Sequence, residues 1–144
     1  MALPFLDEYN DYSLSAAEAN DKVLVTDGTQ VHNLHKDIFY IPDPTLAFVG
    51  IPFYTATFSL FEFQAIAVAA FLSGVAQLPS TTSLRTEYEN RVKEKGLGRS
   101  FHSLKDQEQP YVVGLMKWVN TERAKRGLSP IEGHTQSWIT ERAA

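Results

Sequence analysis

Apolar positions change their spacing along this chain. Val23-Leu24-Val25 and Gln30-Val31-His32 flank Asp27-Gly28, a dipeptide that accepts positive φ in a tight turn, and predict a hairpin over 23–34. Ile38–Ile41 and Leu46–Gly50 follow as strands joined by the rigid turn Pro42-Asp43-Pro44. Leu46 to Val49 is apolar without alternation, the pattern of a strand buried on both faces. Ahead of these, residues 1–22 mix a short apolar start with acidic and polar residues and read as a segment cut from something larger or, more plainly, as an arm packed on the domain surface.

The period then becomes helical. Residues 59–73 predict a helix opened by a Ser59/Glu62 capping box and closed by Gly74 in a left-handed cap. Phe61, Phe63 and every residue from Ala65 to Leu72 are apolar, so this helix is expected to be buried on nearly every side. Leu84, Tyr88 and Val92 stripe a second helix that Gly96 and Gly98 stop. A third starts near Pro110, buries Tyr111, Val112, Leu115, Met116 and Val119, and carries Glu122 and Arg126 as an i, i+4 pair before Gly127. A short last helix is expected from Thr135 to Arg142. One mismatch stands out: single-striped helices and short strands are poor cover for a helix greasy all round, and a large uncovered apolar patch points to a missing partner.

Composition narrows the class. With 144 residues, 44% of them hydrophobic, the chain suits one folded domain. A net charge of −4 without a basic run gives no reason to expect nucleic acid. The absence of cysteine excludes disulfides, cysteine–zinc sites, iron–sulfur clusters and thiol nucleophiles. The start, MALPFLDEYND, lacks the basic and apolar regions of a secretory signal, and the apolar stretch Ala65–Leu72 is too short to cross a bilayer. A cytoplasmic protein without a transmembrane segment is expected.

Candidate chemistry is thin. Gly96-Leu97-Gly98 looks like the start of a phosphate loop, but it follows a helix instead of a strand and Phe101 stands where a third glycine belongs, so it reads as a helix stop. His32 and His35, three apart on a strand and turn, have no supporting ligands, and no metal site is expected. His102 and His134 read as surface or capping residues. Ser59, Ser83 and Ser103 lack the setting of a hydrolase nucleophile, and no carboxylate pair suits acid–base work. No catalytic residue is assigned. The strand Leu46–Gly50, its following loop and the helix start carry the most interest, because free N–H groups at a helix N-terminus favour an electron-rich ligand at a sheet's carboxyl edge, although the residues alone favour a core strand and a core helix with no ligand.

The run Val31-His32-Asn33-Leu34-His35-Lys36-Asp37-Ile38-Phe39-Tyr40-Ile41-Pro42-Asp43-Pro44-Thr45-Leu46-Ala47-Phe48-Val49-Gly50 resembles the C-terminal part of fungal flavin-containing monooxygenases. Phe61-Glu62-Phe63-Gln64-Ala65, Leu72-Ser73-Gly74 and Leu78-Pro79-Ser80 do so too, and Phe101-His102-Ser103-Leu104-Lys105-Asp106 resembles their tail. The Leu3-Pro4-Phe5-Leu6 start resembles the residues after the family's Ala-Thr-Gly-Tyr stretch.

The resemblance implies an α/β fragment. An N-terminal β-hairpin and short strands would complete a FAD-domain sheet, then come a buried helix and a mainly helical C-terminal half. Residues 1–79 would be the closing piece of the FAD-binding domain and 80–144 a helical tail. It implies FAD and NADP as cofactors of the full-length enzymes, which oxygenate soft nitrogen or sulfur nucleophiles with O₂. The cofactor-contact candidates are Gly50, Thr57, Phe58, Ser59 and Leu60: the glycine would allow close backbone approach, and the helix start would face the flavin's pyrimidine edge. The family's two glycine-rich nucleotide loops match nothing in this chain. It is therefore expected to bind neither nucleotide tightly and to be inert alone, its partner being the portion that carries those loops. A stand-alone interaction module derived from such an enzyme, binding a partner or itself through the apolar face, is the competing reading.

Overall fold

The computed structural model describes residues 4–53, 55 and 57–131, and the side chains of these except 4–6 and 57. The chain forms two compact units, one built from Met1–Pro52 with Pro79–Ser103, the other from Phe53–Leu78 with Leu104–Ala144. Among the described residues the elements are those of a small α/β fold, with one two-stranded antiparallel sheet and three α-helices.

In the first unit, β1 (Leu34–His35) and β2 (Phe39–Tyr40) pair antiparallel, with Leu34 opposite Tyr40 and His35 opposite Phe39. Lys36 and Asp37 connect them at φ +54° and +59°, and Ile38 N–H closes the turn onto His35 C=O at 3.0 Å. Positive φ at both central residues matches a type I′ turn, whose twist suits a hairpin. The earlier Asp27-Gly28 hairpin is present in reduced form. Gly28 has φ +88° and the Asp27 carboxylate caps Thr29, but the arms make one bridge, Val25 to Val31.

The expectation of a doubly buried strand at Leu46–Val49 fails. Asp43 caps Thr45 and folds the chain tightly, so the run meets β2 at a single bridge, Phe39 to Ala47. Val49 is 46% exposed. Leu24, Val25, Val31, Leu34 and Tyr40 form the core here, and Tyr9 from the N-terminal arm packs on it, its ring edge-on to Tyr40 at 5.4 Å. The arm is tied in further where Leu24 N–H donates to Tyr9 C=O (2.7 Å). α2 (Thr81–Lys95) starts at Ser80, whose hydroxyl accepts from Ser83 N–H, and turns the buried Leu84 inward.

In the second unit, α1 (Thr57–Leu72) packs on α3 (Glu108–Lys125). Leu60, Leu104, Val112 and Met116 form their shared core, with Phe61, Phe63, Ile66 and Tyr111 around it. Buried Gln64 Nε2 donates to Tyr111 Oη at 2.9 Å, which satisfies a polar group inside the apolar seam. The Ser59/Glu62 capping box is not the helix start. Helical geometry begins at Thr57, which places Ser59 inside the first turn.

Gly74 ends α1 at φ +80° in a left-handed cap: its N–H donates to Phe71 C=O (3.0 Å), and Ala76 N–H reaches back to Ala70 C=O (2.9 Å). The Glu122/Arg126 pair does not form. Glu122 binds Lys125 (2.6 Å) and accepts from Gln77 N–H, while Arg126 Nε donates to Val75 C=O. The last expected helix, from Thr135 to Arg142, lies outside the described residues, as does His134. Among the described residues no helix is long and apolar enough to cross a membrane.

Candidate functional site

The candidate cofactor contacts fall in both units. Gly50 belongs to the first and holds φ +96°, a backbone state that glycine adopts without a Cβ clash. Thr57 to Leu60 make the first turn of α1 in the second unit. Leu60 is fully buried in the α1–α3 core, so its side chain serves packing and only its backbone is open to a ligand role. Phe58 is 90% exposed, an unusual place for a large apolar ring. Ser59 is half-buried, and the Thr57 side chain lies outside the described residues.

The start of α1 suits an electron-rich group of a ligand. The first-turn N–H groups of a 16-residue helix carry partial positive charge, and an exposed aromatic ring stands beside them. A dinucleotide also needs a glycine loop opening a helix after a strand. The loop that most resembles one, Gly96 to Gly98, terminates α2 with φ +76° and +94°, and Gly98 N–H already donates to Gln30 Oε1 at 2.8 Å. Among the described residues the first turn of α1 offers donors to an electron-rich group, and Gly96–Gly98 is a helix stop.

The densest polar constellation lies in the first unit, where the sequence reading assigned only surface roles. His102 is buried, 5% exposed, contrary to the expectation of a surface or capping residue. Val31 N–H donates to His102 Nε2 (2.9 Å). An accepting Nε2 carries no proton, so the ring's proton sits on Nδ1 and is donated to Asp37 (3.1 Å). Arg91 grips both oxygens of the same carboxylate at 2.8 Å, donates to Phe101 C=O at 2.9 Å, and stacks over the Phe101 ring at 4.5 Å.

Asp37 is fully buried. Burial alone would raise its pKa, but the His102 hydrogen bond and the Arg91 guanidinium outweigh that, and the carboxyl is held below its ordinary value. These contacts also explain how a non-glycine residue holds φ +59°. Asn33 repeats the pattern at φ +64°. Its amide donates to the Asn20 and Val23 carbonyls, and its oxygen accepts from Arg85 (2.6 Å). His35 and Lys36 both engage Glu87 of α2, at 2.7 and 3.1 Å.

Asp37, Arg91 and His102 bond one another and the backbone around them, while His35 engages Glu87 through Nε2 and leaves its buried Nδ1 without a hydrogen-bond partner. The constellation ties the β1–β2 turn to α2 and to residues 99–102. It fixes the Lys36–Asp37 turn from which the chain runs on toward Gly50. A signal for it was present in the sequence: Arg91 stands seven residues after Leu84 on the apolar side of α2, where a cation requires a buried partner. Among the described residues no group of three or more His, Cys, Asp or Glu is placed to hold a metal ion.

No protein-family model matches the chain. It is 65% identical over 123 residues to flavin-containing monooxygenase ustF1 of Aspergillus flavus, a stretch that is 85% of this chain and 31% of the relative. It is 51% identical over all 144 residues to flavin-containing monooxygenase ustF2 of the same fungus, covering 29% of it. To flavin-containing monooxygenase iboF of Amanita muscaria it is 34% identical over 128 residues, 86% of this chain and 24% of that protein. The chain belongs to the flavin-containing monooxygenase family. It spans less than a third of the length of these curated relatives.

Proposed function

We propose that this chain is the C-terminal part of a FAD- and NADPH-dependent monooxygenase that oxygenates soft nitrogen or sulfur nucleophiles, and that it contributes structure and a flavin-edge contact to that reaction. The observation that carries this reading is the 51% identity along its whole length to a protein of which it makes up 29%. In this reading the half-exposed Leu46–Gly50 run lies along the edge of the FAD-domain sheet and completes it. The positive φ of Gly50 and the first turn of α1, from Thr57 to Leu60, approach the isoalloxazine ring. FAD supplies the oxygen activation when bound. The residues of this chain orient the ring edge through backbone N–H groups and shield it with Phe58.

The two nucleotide grips belong to the rest of the enzyme. The chain by itself is then a poor FAD binder and catalytically inert, because a ring-edge contact is a small fraction of a dinucleotide's interface. A visible absorbance spectrum tests this. The purified 144-residue chain mixed with FAD and desalted is expected to be colourless and to leave NADPH unoxidised. A yellow preparation that consumes NADPH without a second polypeptide would overturn the reading.

A further inference from the structure

α1 has two apolar sides, and this chain covers one of them. Leu60, Gln64, Ala67 and Ala70 are buried. Phe58, Glu62, Ala65, Ala69 and Leu72 are exposed, and at about 100° per residue they form one continuous strip on the opposite side. Four of the five are apolar. Phe58 and Leu72, the latter 58% exposed, stand at the two ends, about 21 Å apart at 1.5 Å per residue. Between them Ala65 and Ala69 are short enough for another backbone to approach α1 closely. Glu62 is the one charged residue in the whole helix. A surface helix of a self-sufficient domain carries several polar residues on its outward side, and along this strip Glu62 stands alone.

We propose that the Phe58–Glu62–Ala65–Ala69–Leu72 strip is a docking face, and that its occupant is the remaining part of the same monooxygenase, seated across the alanines between the two large end residues. This rests on the part-enzyme reading above and deepens it by naming the contact. The occupant is chosen over a second copy of the chain because more than two-thirds of the relatives' length lies outside the matched stretch. A helix apolar on both sides also belongs in the interior of a larger fold.

The test uses the ustF2 relative, matched over all 144 residues, with the matching segment deleted. Mixed with this chain, that remainder is expected to elute as a one-to-one complex in size-exclusion chromatography with light scattering. The double variant Ala65→Glu/Ala69→Glu should weaken the complex at least about tenfold, while its circular dichroism stays that of the parent because both sites are exposed. Val113→Glu, on an exposed position of α3, should leave the complex intact. Where the remainder does not stay soluble, the same two glutamates placed at the matched positions of the intact relative should lower its melting temperature, although they leave that of this chain unchanged.

Absence of a complex from a soluble remainder overturns the proposal. So does a complex indifferent to the glutamates, an intact relative whose melting they do not change, or a homodimer of this chain that they dissolve. Flavin colour is read separately: a complex that holds no flavin would sink the ring-edge role and leave the docking face standing.

Discussion

In the unit built from Met1–Pro52 and Pro79–Ser103, residues more than fifty positions apart are held by directed polar contacts: Asp37 to Arg91 and His102, Asn33 to Arg85, His35 to Glu87. In the unit built from Phe53–Leu78 and Leu104–Ala144, α1 and α3 meet through Leu60, Val112 and Met116, and one side of α1 stays open. Polar contacts of fixed geometry specify one arrangement and saturate once made. Apolar contact is non-directional and leaves the helix able to accept more. The first unit is therefore complete where its donors and acceptors are matched, while the second keeps a face in reserve. That contrast suits a segment whose own scaffold must be rigid and whose other surface must join a larger body.

The largest effect should come from the saturated side. Asp37→Ala leaves the Arg91 guanidinium without its carboxylate and His102 Nδ1–H without an acceptor. Removing one partner of a buried ion pair costs about 3–5 kcal/mol, and the non-glycine turn at Lys36–Asp37 loses the contacts that hold it. A urea titration followed by circular dichroism should show the first transition near zero denaturant. A loss under about 1 kcal/mol would mean that the constellation is decorative.

Leu60→Ala probes the apolar side. Truncating a fully buried leucine costs about 2–5 kcal/mol, measured as a lower urea midpoint. Phe58→Ser and Leu72→Ser, on the open side of the same helix, should each stay within about 0.5 kcal/mol of the parent. Equal costs on the two sides would erase the distinction between a covered face and a reserved one.

Much of the helical half was legible because its signal is periodic and local. Leu84, Tyr88 and Val92 announce α2, and the stripe from Tyr111 to Val119 announces α3. The near-absence of polar residues in α1 is equally plain in the sequence. Of the polar constellation only Arg91, on the apolar side of α2, left a mark in the sequence; Asp37 and His102 join it only in the folded chain, and the Lys36–Asp37 turn lacks the glycine that usually marks positive φ. Ser59 misled for a local reason: a capping box is a four-residue pattern, and Ser59 with Glu62 satisfies it from within the first turn. Of the candidate site, the helix start was readable to within two residues. The burial of the Leu60 side chain was not, because helix periodicity alone does not say which side of an all-apolar helix a neighbour takes.

Gly74→Ala isolates backbone conformation from packing. A Cβ built there meets nothing within 4 Å, so the effect comes wholly from φ +80°. A left-handed alanine costs about 1–2 kcal/mol, and the variant's melting temperature should fall accordingly. No fall would mean that the left-handed cap of α1 re-forms one residue away.

The smallest effect is the acid response of Glu87. Its carboxyl is lowered from 4.5 to about 2, chiefly by the hydrogen bond with His35, with the charges of His35 and Lys36 adding to it against the opposing effect of burial. A depressed folded pKa means that this stabilisation is fully present above about pH 4.5 and disappears as the pH falls through about 2. The side chain is half exposed and screened by solvent, so the contribution is at most about 1 kcal/mol. Asp37 titrates in the same direction, and wild-type acid unfolding alone therefore does not isolate Glu87. The difference between wild type and Glu87→Gln does isolate it. Urea midpoints should differ at neutral pH and converge toward pH 2, where the wild-type carboxyl is also protonated. A gap that stays constant from neutral pH to pH 2 would assign the contact to packing and remove it from the charge-matched set that distinguishes the first unit from the second.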